Sequence, residues 1–134
     1  MVPSSHGVLP LRNPQDLVTC RQAVRQIAEE AGFRVLGQTM LVTATSELAR
    51  NTIIHGGGGE ALWEIVELEG RVGIKLTFND RGPGIANMEL ALTHGWTSGG
   101  GLGMGLTGAQ RLVHEFSITS AVGQGTRVSI LRWR

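Results

Sequence analysis

Cysteine is nearly missing from this chain, lysine is as scarce, and long hydrophobic runs are absent. Cys20 is the single cysteine, which excludes an internal disulfide and a cysteine-built metal cage and leaves it as a small apolar residue on a helix. Lys75 is the single lysine. It does not follow a G-x-x-x-x-G stretch, so the chain has no Walker-type phosphate loop. No segment approaches the ~18 consecutive apolar residues of a membrane span. The opening MVPSSHGVLPLRNPQD lacks the basic-then-apolar layout of a secretory signal, so a cytoplasmic protein with no membrane contact is expected. Neither sign of charge dominates: 12 basic and 11 acidic side chains leave a net charge of +1. With no Lys/Arg block and no basic stripe interleaved with aromatics, nucleic acid is not expected as a partner. A length of 134 residues suits one domain spanning 1–134, with a single core of helices against a sheet, and excludes a multidomain machine.

Glycine is what the chain has in excess, 20 residues in all, about twice the usual share. Between the glycine clusters the apolar pattern sets the elements. Residues 14–33 place Leu17, Val24, Ile27 and Ala31 at helical spacing, with Pro14 suited to the first turn and Gly32 to the stop. A second helix is expected from Gly37 to about His55, with Leu41, Ala44, Leu48 and Thr52 in one stripe, ended by the glycines at 56–59. The segments ALWEIVELE and RVGIKLTFND flank Glu69-Gly70. In the second, Val72, Ile74, Leu76 and Phe78 alternate with Gly73, Lys75, Thr77 and Asn79, the pattern of a hairpin with one buried face. A short helix is expected over NMELALTHG. A longer one is expected over LTGAQRLVHEF, with Leu106, Ala109, Val113 and Phe116 on one side, followed by a hairpin of SITSAV and TRVSILRW about GQG. The first thirteen residues form an N-terminal segment for which an edge strand is one option. The expected architecture is an α/β (α+β) two-layer sandwich, a mixed but mostly antiparallel sheet with helices on one face.

Two glycine clusters carry the chemistry. FNDRGPGI follows a strand, so Asp80 falls at the strand end and Gly82, Pro83 and Gly84 turn the chain. Bare backbone beside a carboxylate lets a flat ring approach, and the carboxylate can accept a hydrogen bond from an amino group such as that of adenine. Taken alone, the same residues read more simply as a turn with a solvated Asp. In TSGGGLGMGLTG the letters GMGLTG match G-x-G-x-x-G, but a dinucleotide fold needs a strand just before the glycines and an acidic residue about 20 positions later. Here a loop precedes, and residues 123–128 are GQGTRV. What remains is a glycine loop entering a helix, whose free amides favour phosphate oxygens. On the second helix Glu47 and Asn51 share one face, separated by about 6 Å along the axis. An Asn oxygen can ligate Mg²⁺, and the Glu can accept the proton of an attacking hydroxyl; any single E-x-x-x-N also reads as a polar surface couple. His55 lacks a second His or Cys at ligand spacing and is better read as a helix-end histidine.

Taken together, a helix with ELARN, a strand ending NDRGPGI, and GGGLGMGL leading into a helix resemble the three nucleotide boxes of the GHKL (Bergerat-fold) ATPases. GQGT at 123–126 resembles that superfamily's entry into the final strand. The resemblance runs from about residue 14 to the end. Within the superfamily, TSGGGLGMGLTGAQRLVHEF is most similar to the small anti-sigma-factor serine/threonine kinases of the RsbT type. The resemblance implies use of ATP and Mg²⁺, with Asn51 on the metal, Glu47 as the catalytic base and Asp80 on the adenine amino group. It also implies Gly82, Gly84, Ile85 and Thr126 around the base. Gly99, Gly100, Gly101, Leu102, Gly103, Met104, Gly105 and Leu106 then run along the nucleotide, with glycines 101, 103 and 105 by the phosphates. For partners it implies a STAS-domain substrate in stressosome-type partner switching and a PP2C-type phosphatase or a sigma factor. A homodimer stays open: an exposed strand edge, or Arg127, Arg132 and Arg134, could make the contact, against the plainer reading of solvated charges.

Overall fold

The computed structural model describes residues 2–84 and 105–134. Five strands form one sheet in the order β1-β2-β3-β5-β4, where β1 is Val2–Leu11, β2 Gly59–Leu68, β3 Arg71–Asp80, β4 Glu115–Ala121 and β5 Gly125–Trp133. Every pairing between them is antiparallel, so the mixed character expected of the sheet is not seen among the described strands. The register puts Ala61, Phe78 and Val128 in one row and Trp63, Leu76, Ile130 and Phe116 in the next. These rows face the helices, and Ile74, Leu76, Phe78, Val128 and Ile130 are all buried there. Truncating a side chain such as Phe78, 2% exposed, costs about 3–5 kcal/mol.

The helices are α1 (Pro14–Glu30), α2 (Val35–Ile54) and α3 (Gly105–Arg111). In α1, the Asn13 side chain accepts the Asp16 N–H at 3.0 Å and Pro14 occupies the first turn, a capping arrangement worth about 1 kcal/mol. Asp16 also takes both the backbone and guanidinium N–H groups of Arg12 at 2.9 Å. That hydrogen bonding holds its carboxyl below the usual carboxylate range. The chain leaves α1 through Gly32 at φ +88°, the left-handed position that glycine tolerates. Buried in α2, Thr45 and Thr52 return their hydroxyls to the carbonyls of Leu41 and Leu48 at 2.8 and 3.0 Å, so a polar helix face can enter the core without orphaned donors. Cys20 is buried, and burial pushes its thiol up to about 11, the chemistry of an inert packing residue.

The β2–β3 hairpin turns at Glu69-Gly70 with φ +53° and +81°, a two-residue turn whose twist matches the strands. The C-terminal helix is shorter than its apolar spacing implies. It ends at Arg111, and β4 begins at Glu115. Leu106, Ala109, Val113 and Phe116 do reach the common core, but Phe116 arrives from a strand, paired with Ile130. The alternation Phe116, Ile118 and the His114 N–H bond to the Leu131 carbonyl at 2.9 Å favour the ladder over another helical turn. The short helix expected over NMELALTHG lies outside the described residues.

Candidate functional site

The C-terminal ends of β3 and α2 and the β4–β5 turn meet at one corner of the molecule. Asp80, the last residue of β3, accepts the Gly82 N–H at 2.9 Å and the Thr126 N–H at 3.1 Å, both on Oδ1. Its Oδ2 has no hydrogen-bond partner among the described residues. The backbone around it is packed so closely that side chains are excluded. A Cβ on Gly56 would lie 2.3 Å from the Asp80 side chain, one on Gly82 2.6 Å from the Gly56 Cα, and one on Gly125 2.1 Å from the Asp80 carbonyl oxygen. Gly84 is wedged against Ala121, 2.2 Å from its carbonyl oxygen by the same measure. Thr126 is held from the far side, its hydroxyl 2.9 Å from that of Ser120, which also donates to the Gly125 carbonyl at 3.1 Å.

Asn51 borders the same corner. Its carbonyl accepts the N–H groups of His55 and Gly56 at 2.9 and 3.1 Å, and Gly56 is the residue lying against Asp80. The Asn51 side-chain amide has no hydrogen-bond partner among the described residues. Glu47, one turn earlier, has a side chain only 14% exposed and stands 3.9 Å from Arg50, whose side chain is 47% exposed. The flank they occupy is set by helix geometry. Gln38 bonds across to α1 through Arg25, at 3.4 Å, and to the α1–α2 turn at the Phe33 carbonyl, at 2.8 Å. Nine residues further on, Glu47 is turned about 180° from that contact. Glu47 and Asn51 therefore lie on the side of α2 away from α1.

Among the described residues, then, Asp80, Gly82, Gly84 and Thr126 come together with the end of the helix that carries Glu47 and Asn51. Gly105 opens α3. The Leu106 side chain is 3% exposed in the core, so only its backbone can face a ligand. Ile85, Gly99, Gly100, Gly101, Leu102, Gly103 and Met104 lie outside the described residues. His55 caps α2, and no group of three His, Cys, Asp or Glu side chains that could hold a metal is found among the described residues. Mg²⁺ does not need such a group, since it keeps several waters and takes phosphate oxygens. The amide oxygen of Asn51, with no partner among the described residues and one helical turn from Glu47, is a donor that fits it. Gly56 and Gly125 are the residues that sequence reasoning passed over. Their glycines were visible only as a helix stop and a turn, and nothing in the letters shows that both pack on Asp80.

The corner can hold a planar group with an exocyclic amine against Asp80 and a charged, metal-bearing group along the flank of α2. Residues 37–134 match the family of histidine kinase-, DNA gyrase B- and HSP90-like ATPases. The serine/threonine-protein kinase RsbT of Bacillus subtilis is 41% identical over 118 residues, 88% of this chain and 89% of that protein. An anti-sigma F factor of Anoxybacillus flavithermus is 34% identical over 100 residues, 70% of this chain and 68% of its own length. The crystal structure of the RsbU and RsbW domains of a Mycobacterium tuberculosis protein matches with a TM-score of 0.66 at 22% identity, over 100% of this chain and 33% of that one. At that identity the likeness concerns the fold. No helix among the described residues is long and apolar enough to cross a membrane.

Proposed function

Because the chain belongs to the family of histidine kinase-, DNA gyrase B- and HSP90-like ATPases, we propose that the corner at Asp80 binds the adenine of Mg-ATP and that Glu47 drives transfer of the γ-phosphoryl group to a protein hydroxyl. The chain is a serine/threonine-protein kinase of the RsbT type, and its substrate is a STAS-domain antagonist or scaffold protein in a partner-switching module. A PP2C-type phosphatase or a sigma factor is the further partner, and the protein works in the cytoplasm.

The observation that carries this reading is the Oδ2 of Asp80, which has no hydrogen-bond partner among the described residues. Oδ1 is held by two backbone N–H groups, which fixes the carboxylate and leaves the second oxygen to accept the adenine amino hydrogen. Gly82 and Gly84 pass beside the ring and Thr126 closes its edge, while Ile85 and residues 99–106 are assigned the further base and phosphate contacts from the sequence motif alone. Asn51 would hold Mg²⁺ through its amide oxygen, and the ion would supply charge neutralisation at the phosphate oxygens. Glu47 accepts the proton of the Ser or Thr hydroxyl as its oxygen bonds to the γ-phosphorus. The bond from that phosphorus to the bridging oxygen breaks, and ADP leaves. Phosphoryl transfer is mostly positioning and charge neutralisation, so a fixed carboxylate, one metal and a glycine loop are sufficient equipment.

The experiment is transfer of labelled phosphate from ATP to a purified STAS-domain protein. Removing a general base costs roughly 10²- to 10⁴-fold in rate. Glu47→Ala should lose transfer by that factor while keeping its thermal stabilisation by Mg-ATP; transfer at the parent rate removes Glu47 from the role. A second reading draws on the anti-sigma F factor relatives. In it, nucleotide occupancy alters affinity for a sigma factor or phosphatase and little phosphate moves. Nucleotide-dependent pull-down with no label on the partner is its signature.

A further inference from the structure

The end of α2 opposite the nucleotide corner carries an unexplained surface. Val35 and Leu36, its first two residues, are 72% and 66% exposed, and they are two of the three most exposed large hydrophobic residues among those described. The residue before them, Arg34, is exposed and gives the helix no side-chain cap. Three more guanidinium groups gather at this first turn. Arg25 bonds Gln38 at 3.4 Å. Arg134 donates to the Ala31 carbonyl in the α1–α2 turn at 3.1 Å. Arg132 donates to the Leu112 carbonyl at 2.9 Å, and its buried Nε, near Gly37, has no partner among the described residues.

None of these four arginines has a carboxylate within ion-pair distance among the described residues, where the ion pairs are Arg12–Asp16 and Arg50–Glu47. The nearest acidic residues in sequence are Glu29 and Glu30 on the last turn of α1, and Glu30 already accepts from Gln26 at 3.2 Å. The exposed amides at the start of a long helix add to the positive side of the balance. We propose that this pole is a docking surface for an acidic, amphipathic segment of a partner protein, with Val35 and Leu36 as the apolar anchor and the arginines as its charged rim.

A protein segment suits the surface better than a lipid layer does. The apolar part is two side chains at one helix end, small for insertion among acyl chains. Arg132 and Arg134 are each fixed by a backbone carbonyl, which leaves planar forks in set directions for carboxylates at set positions. Val35 precedes Glu47 by twelve residues, about 18 Å along the helix axis. A partner docked here leaves the catalytic flank open, so tethering and phosphoryl transfer occupy different surfaces of one helix. The proposal does not depend on the nucleotide reading.

The test uses the full chain and two synthetic, fluorescein-labelled helical peptides, one with Leu on one face and Glu on the other, and its twin with Lys in place of Glu. By fluorescence anisotropy the protein should bind the acidic peptide at least about tenfold more tightly than the basic one. Arg34→Glu with Arg134→Glu should reverse that preference, and Val35→Ser with Leu36→Ser should weaken the acidic peptide by about tenfold. Melting temperature and stabilisation by Mg-ATP should be unchanged in both variants, which separates failure of docking from misfolding and from failure of the nucleotide site. Equal affinity for the two peptides, binding of neither, or variants that behave as the parent would overturn the proposal. So would binding to phosphatidylglycerol vesicles, without peptide preference, that the same substitutions abolish.

Discussion

The two ends of the central strand β3 are built on opposite principles. At its Asp80 end the structure is backbone on backbone: Gly56, Gly82 and Gly125 pack within distances that no Cβ could share, and one carboxylate oxygen ties the pieces together. At its Arg71 end it is side chain on side chain. The Arg71 guanidinium lies 4.2 Å from the centre of the Trp133 ring, and the His114 side chain accepts the backbone N–H of Trp133 on Nδ1 at 3.0 Å. A wall of bare backbone offers a ligand hydrogen-bond groups and room for a flat ring. Stacked side chains fill space and leave no room of that kind. The difference teaches which end of an antiparallel sheet can become a binding site, and it predicts that substitutions at the two ends will differ in size and in kind.

The largest effect should come from Gly125→Ala. The new methyl group would meet the Asp80 carbonyl at 2.1 Å, on a residue at φ +87°, so two costs act at once and should sum to about 3–5 kcal/mol of stability. Chemical denaturation measures it. A loss below about 1 kcal/mol would mean that the corner yields, and the contrast between the two ends would break.

Asp80→Asn should sharpen the contrast by separating the fold from the ligand. Asn keeps an oxygen for the Gly82 and Thr126 N–H groups but replaces Oδ2 with a donor, which opposes an amino group instead of accepting from it. The free protein should melt near the parent temperature. The stabilisation by Mg-ATP, about 2.7 kcal/mol at 100 times the dissociation constant, should largely vanish. A parent-like ligand shift would take Asp80 out of the adenine site.

The two ends also differ in how far they could be read from sequence. The Asp80 end is partly legible, because a strand pattern that stops at an acidic residue among glycines sets a carboxylate beside bare backbone. Alone it reads as a turn with a solvated Asp, and only the joint order of motifs singles it out. The pairing of Glu47 with Asn51 on one face follows from helix periodicity alone, as does the β2–β3 turn from Glu69-Gly70. Gly56 and Gly125 were legible as glycines but not as partners of Asp80, since a glycine records that something comes close without saying what. The end of α3 is misread from the letters because Leu106, Ala109, Val113 and Phe116 satisfy a helical stripe, while Phe116 and Ile118 equally satisfy a strand. The free edge of β5 decided between them through tertiary pairing, which a local pattern does not contain. The Arg71 end left a weaker signal: Arg132 and Arg134 stand out near the C-terminus as candidate contact residues, but Arg25 and Arg34 are far from them in sequence, and only the fold gathers the four.

The smallest effect belongs to that end and concerns pH. His114 accepts the Trp133 N–H on Nδ1, so its ring is held neutral with the proton on Nε2. Burial, with Arg132 and Arg71 nearby, lowers its pKa below the ordinary value, while Glu115 acts in the opposite sense. The folded state therefore binds the proton less readily than the unfolded chain. The stability this contributes is fully present above about pH 6.5, the unfolded histidine value, and is lost as pH falls from there toward the lowered folded value. His114 is exposed as a residue and its ring only partly desolvated, which keeps the effect to a melting shift on the order of 2 °C between pH 7 and pH 5. His114→Gln offers an amide oxygen to the same N–H without titrating, so its melting curve should be flatter over that interval. Asp16, whose lowered carboxyl is tied to Arg12, acts only in stronger acid and leaves the window to the histidine. If parent and variant fall together, the loss comes from elsewhere in the chain, and the Arg71 end is held by the arginine–tryptophan stack without help from the histidine.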